Sequence, residues 1–287
     1  MLSYRHAFHA GNFADVLKHS VLTLVLEYMT RKDKGFYYID SHSGAGMYSL
    51  EDEYAQKTGE YKDGIAKLLN QSDLPSALQP YIELVKSLNP PSDQGNELTL
   101  YPGSPAIAKY FDRRQDSAHL FELHPTDIQH LTDFCQRWNK SHVKQVDGYQ
   151  GLLGLLPPPN RRGVVLIDPP YELKEDYHKA VNTIIKGYKK FSTGSYILWY
   201  PVVKRGLVDA MQTQFVNSPV KNVLQVEFCQ QADTDEYGMT GSGLFIVNPP
   251  WQLKTQLTEI LPYLSEKLNN SSTNERPTFT LEQLIEE

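Results

Sequence analysis

Asp168-Pro169-Pro170-Tyr171 ends the run VVLIDPPY, and Asn248-Pro249-Pro250-Trp251 ends FIVNPPW. Each joins a carboxylate or amide to two prolines and an aromatic ring. Such a set can grip an exocyclic amino group, with the polar side chain and a proline carbonyl as acceptors and the ring as a stacking platform. The two copies are chemically alike, so the elements that carry them decide which one works.

Seven apolar or β-branched runs bounded by turn residues predict strands at 35–40, 117–123, 142–147, 163–168, 194–200, 221–228 and 242–248. Most gaps between them have room for a helix, which predicts an α/β fold of the Rossmann-like kind, with a seven-stranded, mostly parallel sheet. The last gap differs. Residues 229–241, CQQADTDEYGMTG, are polar and turn-rich without helical periodicity, so strands six and seven should form an antiparallel hairpin. Ligands of a doubly wound sheet bind outside the carboxyl ends of its parallel strands, near the switch in strand order. That rule puts Asp168 on the binding edge and Asn248 on the opposite one. DPPY is the expected site, and NPPW reads as a proline-stopped strand with an aromatic plug.

Other strand ends add polar groups to the same edge. YYIDSHSGAGMYS places Asp40 at a strand end, followed by Gly44 and Gly46, where the chain turns tightly and lets a ligand approach the backbone. A dinucleotide fingerprint needs a third glycine three residues after Gly46, and Ser49 stands there, which disfavours a nicotinamide enzyme. Glu122 is the residue type that grips ribose hydroxyls, and Asp147-Gly148 could accept from an adenine amino group. Singly, each such carboxylate could equally be a helix cap or a solvated turn. In YPGSPAIAKYF, Ser104 is placed as an N-cap and Pro105 as the first helical residue, which turns free N–H groups toward the strand ends.

The remaining chain supplies framing. Asn12 can cap a helix whose apolar stripe is Phe13, Val16, Leu17, Val21, Leu24, Val25 and Tyr28, with Lys18 and His19 in its second turn. Residues 47–100 make the first crossover far longer than one helix requires and read as a small helical insertion. The main domain is expected over 1–265, with a tail at 1–10 and a loose polar appendage over 266–287. With 28 Lys and Arg against 34 Asp and Glu, the formal charge is −6, so the average composition carries no polyanion signal. Arg5, Arg161, Arg162, Lys189, Lys190, Lys204 and Arg205 are the cations considered for substrate engagement. The two cysteines, Cys135 and Cys229, lack metal-ligand spacing and read as reduced thiols. No apolar run reaches membrane-span length and no signal peptide is evident, which predicts a cytoplasmic protein.

The order of glycine-rich loop, acidic second strand, Asp-Gly after the third and DPPY after the fourth resembles a class I S-adenosylmethionine-dependent amino methyltransferase. More narrowly, MLSYRHAFHAGNFADVLKHS, DSHSGAG, YPGSP, ELHP, DGYQ, RRGVVLIDPPYE, LWYPV and GMTGSG look like the RlmJ family of 23S rRNA (adenine-N6)-methyltransferases. The resemblance implies that His19, His42, Ser104, Glu122, Asp147, Gly148 and Asp168 bind S-adenosylmethionine, leaving S-adenosylhomocysteine, without a metal. It implies that Asp168, Pro169 and Tyr171 are catalytic, and that Tyr4 and Lys18 lie by the substrate. It also implies 23S rRNA as partner, presented free of protein or early in assembly, to a monomer with no obligatory protein partner. Two rivals share parts of this pattern. A DNA adenine methyltransferase would use the same DPPY chemistry, and a non-catalytic RNA-binding protein would keep only the fold.

Overall fold

The computed structural model describes residues 5–90, 97–234, 238–268 and 278–287. In chain order the elements are α1 (Phe13–Thr30), β1 (Tyr37–Asp40), β2 (Met47–Ser49), α2 (Glu53–Thr58), α3 (Ala66–Leu69), α4 (Gln79–Leu88), β3 (Leu100–Pro102) and α5 (Ser104–Tyr110). There follow β4 (Ser117–Phe121), α6 (Asp127–Cys135), β5 (Ser141–Lys144), α7 (Gly148–Leu155), β6 (Gly163–Ile167) and α8 (Glu175–Lys190). The chain ends with β7 (Ser195–Val202), α9 (Arg205–Val216), β8 (Val223–Cys229), β9 (Gly241–Val247), α10 (Leu253–Lys267) and β10 (Thr278–Ile285). Among these no helix is long and apolar enough to cross a membrane.

All seven expected strands are present, in one sheet of order β10-β8-β9-β7-β6-β1-β4-β5. Strands β5, β4, β1, β6 and β7 run parallel, and β9 is antiparallel to both β7 and β8. The order reverses between β1 and β6, so the crevice at the switch opens beside Asp40 and Asp168. This is the doubly wound, mostly parallel arrangement with an antiparallel β9 expected from the sequence. Successive strand residues alternate between two cores, as the period of two requires. Tyr38, Val164 and Ile197 face α1, α5 and α10, whereas Ile39, Val165 and Leu198 face α7, α8 and α9.

The eighth strand corrects the expectation of a loose C-terminal appendage. Thr278–Ile285 pairs antiparallel with β8, whose seven residues are all buried. Without that pairing, β8 would present an apolar edge with open backbone groups, and a polar-faced outer strand relieves it. Leu281 packs on one core and Leu284 and Ile285 on the other.

The insertion is framed by an antiparallel ribbon, β2 with β3, which the sequence reading did not anticipate. Within it, LQPYIELVKSL forms α4, but EYKDGIAKLLN is broken into a 3-10 turn at Glu60–Lys62 and the short α3. The insertion lies over α1, which explains why 15 of its 18 residues are buried rather than one stripe. Those buried residues include Asp15, Lys18 and His19.

Asn248 stands on the edge opposite Asp168, as its antiparallel strand requires. Its Nδ2 donates to the carbonyls of Ser192 and Gly194, and its φ of 49° is in the left-handed region that asparagine tolerates best after glycine. Trp251 is 76% exposed, so it is not the plug expected of it. Asn248→Ala should lower stability by about 1–3 kcal/mol through lost hydrogen bonds and backbone strain. Activity per folded molecule should be unchanged. Paired denaturation and activity measurements check this, and a selective loss of activity would overturn the assignment of edges.

Candidate active site at the β1/β6 switch

The strand ends enclose a cavity of about 240 Å³. Lys18, His19, His42, Ser104, Glu122, Asp147, Gly148, Asp168 and Pro169 all line it, which brings together nearly every residue singled out in the sequence. Tyr171 is set beside the cavity. Its hydroxyl donates to the Trp199 carbonyl at 2.6 Å, and its ring packs on Tyr177 with centroids 4.4 Å apart. Tyr4 lies outside the described residues.

Lys18 carries the strongest interactions of the site. Its ammonium donates to Asp168 Oδ2 at 2.6 Å and lies 2.8 Å from Asp15 Oδ1, with its side chain 4% exposed. Burial alone would lower its pKa, but Asp15 and Asp168 outweigh that, so the net shift is upward and Lys18 stays charged. Asp15 is equally buried and is tied on its other oxygen to the Gly11 N–H and to His6 Nε2, 2.8 Å away. Burial pushes its pKa up, and the opposing pull of His6, Lys18 and His19 takes it well below the usual carboxylate range. Asp15 is also the residue that the helix cap engages: Asn12 Oδ1 accepts from its N–H. Its link through Lys18 to Asp168 leaves no trace in local sequence. Among the described residues, Asp168 Oδ1 has no hydrogen-bond partner and is free to accept.

The glycine loop is held by its neighbours. Glu122 accepts from the Gly44 N–H at 2.8 Å and the His124 N–H at 2.7 Å, so one carboxylate fixes the loop between β1 and β2. Gly44 and Gly46 have φ of 59° and 83°, which explains glycine at both positions. A Cβ on Gly148 would stand 1.7 Å from the Ser41 carbonyl oxygen, so these two backbones meet only because no side chain intervenes. Asp147 caps α7 through the Gln150 N–H and pairs with Lys179 at 3.1 Å.

Two expectations are corrected here. Gly103, not Ser104, is the N-cap of α5, because the Ser104 hydroxyl is drawn away to donate to Asp40 Oδ2 at 2.7 Å. Arg161, Arg162, Lys189 and Lys190 sit at the edge opposite the cavity, since the first two immediately precede β6 and the others end α8. Arg162 instead donates to the carbonyls of Met29 and Lys34. Lys204 and Arg205 do lie on the cavity's edge, but Arg205 is committed to Glu227 and Asp233. Arg5 reaches Tyr54 and Thr126, which straps residues 5–9 across the insertion.

Burial leaves His19 and His42 neutral. His19 is pushed down to about 3 by burial, against the pull of Asp15, and His42 to about 4 by burial, against Asp168 and Asp147. His119, on the other side of the sheet, is pushed down to about 4 by burial and by His142. A group whose folded pKa is depressed gives its full stability above its unfolded value, about 6.5 for histidine, and loses it as pH falls toward the folded value. Asp40, pushed up to about 6 by burial, Glu122 and Asp112, also raised by burial, and His9, raised by its hydrogen bond to Glu60, act in the opposite direction. The large downward shifts of His19, His42 and His119 outweigh these groups, so the melting temperature should fall from pH 7 to pH 5, and His19→Gln should flatten that slope. Thermal scans across pH check this; a midpoint that rises on acidification would contradict it.

A family model described as "Ribosomal RNA large subunit methyltransferase D, RlmJ" matches residues 33–279. The chain is 48% identical over 273 residues to the ribosomal RNA large subunit methyltransferase J of Escherichia coli strain K12, covering 95% of this chain and 96% of that one. It is 47% identical to the protein of the same name from Haemophilus influenzae, over the full length of both. Among solved structures, protein LPL1258 from Legionella pneumophila shares 38% identity and a TM-score of 0.86, covering 96% of this chain and 98% of that one.

Proposed function

We propose, because the chain belongs to the RlmJ family of ribosomal RNA large subunit methyltransferases, that it transfers a methyl group from S-adenosylmethionine to the N6 amino group of an adenine in 23S rRNA. The observation that carries the finer reading is the carboxylate of Asp168 at the end of β6, with one oxygen fixed by Lys18 and the other open toward the cavity.

The cavity suits that methyl donor chemically. Glu122, Asp127, Asp147, Asp168, Glu172 and Asp176 face it against Lys18 and Lys179, an acidic balance that fits a ligand bearing a sulfonium and an ammonium. A Cβ on Gly148 would strike the Ser41 carbonyl, so glycine there lets the start of α7 close against the β1 loop at the cavity wall. Bound there, S-adenosylmethionine would supply an electrophilic methyl group on a cationic sulfur.

The chain's own residues do the rest. In this reading Glu122 accepts from ribose hydroxyls and Asp147 from an adenine amino group, while His19, His42, Ser104 and Gly148 complete the wall. Adenine's exocyclic nitrogen shares its lone pair with the ring and is a poor nucleophile. Asp168 Oδ1 and the Pro169 carbonyl, by accepting its two hydrogens, draw it out of conjugation and leave the lone pair free to attack. Lys18 keeps the Asp168 carboxylate in that orientation. The proton that the methylated amine sheds passes to Asp168 or to water. Alignment of amine and methyl group in one cavity supplies up to roughly 7–11 kcal/mol. Tyr171, Tyr4 and Lys18 are the residues assigned to the substrate base, with Tyr171 as its stacking ring. We assign the protein to the cytoplasm with its RNA.

Methyl-labelled S-adenosylmethionine offered with protein-free 23S rRNA, 16S rRNA or duplex DNA tests the substrate class. Label should enter 23S rRNA alone. Label in DNA would replace this reading with a DNA methyltransferase, and cofactor binding without transfer to any of them would reject protein-free 23S rRNA as the substrate.

A further inference from the structure

His19, Tyr101 and Tyr81 form a continuous hydrogen-bonded run from the cavity wall into the insertion. His19 Nδ1 lies 2.7 Å from the Tyr101 hydroxyl, which lies 2.7 Å from the Tyr81 hydroxyl. The Tyr101 ring also stacks on the imidazole, with centroids 5.6 Å apart. All three side chains are closed to water: His19 is 1% exposed and both tyrosines 0%. Tyr81 belongs to α4 and Tyr101 to β3, whereas His19 belongs to α1 and lines the cavity.

The hydrogens of this run can be placed by counting. Among the described residues, the Tyr81 hydroxyl has Tyr101 as its only hydrogen-bond partner, so its hydrogen must point to the Tyr101 oxygen. The Tyr101 hydrogen is then left for His19 Nδ1, which has to be a bare acceptor. The reverse order, from Nδ1–H to Tyr101 to Tyr81, would strand the Tyr81 hydrogen in a dry core at a cost of about 1–3 kcal/mol. Burial keeps the ring neutral, with its pKa pushed down to about 3. Its single proton therefore sits on Nε2. Asp15 favours the same choice, since its Oδ1 lies 3.9 Å from Nε2, too far for a hydrogen bond but near enough to prefer a hydrogen there.

We infer that Tyr81 of the insertion and Tyr101 of its framing strand β3 set the tautomer of His19, and so present the cavity with a fixed, uncharged Nε2–H donor for an oxygen of the ligand. Resting on the function proposed above, that oxygen belongs to the methyl donor, with its carboxylate as the matching class. A neutral donor suits this place, because it grips an anionic oxygen without adding a second cation beside Lys18 and a sulfonium. The insertion thereby has a role in cofactor binding, separate from any contact with RNA. Tyr81 and Tyr101 are positioning residues, since they act on the ligand only through His19.

Nitrogen-15 spectra of histidine-labelled protein without ligand, with the His19 signal identified by its loss in His19→Gln, read the tautomer directly. The expected result is protonated Nε2 and bare Nδ1 in the wild type, and a mixture of tautomers in Tyr101→Phe. Calorimetry with S-adenosylmethionine should show Tyr101→Phe binding about tenfold more weakly than wild type, with Tyr81→Phe between them. In a His19→Gln background, Tyr101→Phe should add little, because a tyrosine acting through the imidazole has nothing left to orient. A wild-type Nδ1–H tautomer, or a Tyr101→Phe spectrum identical to wild type, would overturn the inference. If the wild type binds no S-adenosylmethionine, the proposed function fails, and the spectra still decide whether the tyrosines set the tautomer.

Discussion

Asp168→Ala should bind S-adenosylmethionine within a few-fold of the wild type and lose methyl transfer by a factor of roughly 10²–10³. The fold should survive, because Lys18 keeps its second partner, Asp15, at 2.8 Å. Turnover should not, because the amine loses a carboxylate acceptor whose second oxygen is fixed by a buried cation. Single-turnover rates at saturating cofactor and RNA, with cofactor affinity measured separately, distinguish the two effects. A comparable loss of cofactor binding and rate would mean that Asp168 serves mainly the cofactor.

Lys18→Met should damage both stability and rate. It leaves Asp15, 1% exposed, without its ammonium partner, and removal of one member of a buried pair costs about 3–5 kcal/mol. It also releases Asp168 from its fixed orientation. Adding Asp15→Asn removes the stranded charge, so the double variant should regain much of the stability while transfer stays low. Denaturant titrations of both variants beside their single-turnover rates check this. Recovery of activity together with stability in the double variant would show that Lys18 matters for folding alone.

Several parts of this architecture were readable from residues alone, for identifiable reasons. The polar, turn-rich segment 229–241 leaves no room for a helix, so β9 must return antiparallel, and DPPY and NPPW must fall on opposite edges. Glu122, Asp147 and Asp168 each follow an apolar run, so their place at the strand ends followed from strand direction. The same logic, applied to Arg161 and Arg162, would have put them on the far edge, because they precede β6 instead of following it.

Other features depend on contacts that sequence spacing does not encode. Lys18 meets Asp168 across 150 positions, and Tyr81 meets Tyr101 within an insertion whose ribbon had no alternation strong enough to announce it. A lysine in the second turn of an amphipathic helix ordinarily faces solvent; here the insertion covers that face, so tertiary packing overrides the pattern. Ser104 has the right type for a cap and the wrong neighbour, since Asp40 takes its hydroxyl and leaves the cap to Gly103. The C-terminal strand was missed because its polar face reads as linker until the buried edge of β8 is seen to need covering.

The most direct test of the central claim is the chemical identity of the modified nucleoside. Protein-free 23S rRNA treated with wild-type protein and S-adenosylmethionine would be digested to nucleosides and resolved by mass spectrometry, beside a reaction with Asp168→Ala. The account predicts N6-methyladenosine with the wild type and only a trace with the variant. A methyl group on a ribose oxygen or on a ring carbon would contradict it, as would N6-methyladenosine formed equally well without the Asp168 carboxylate.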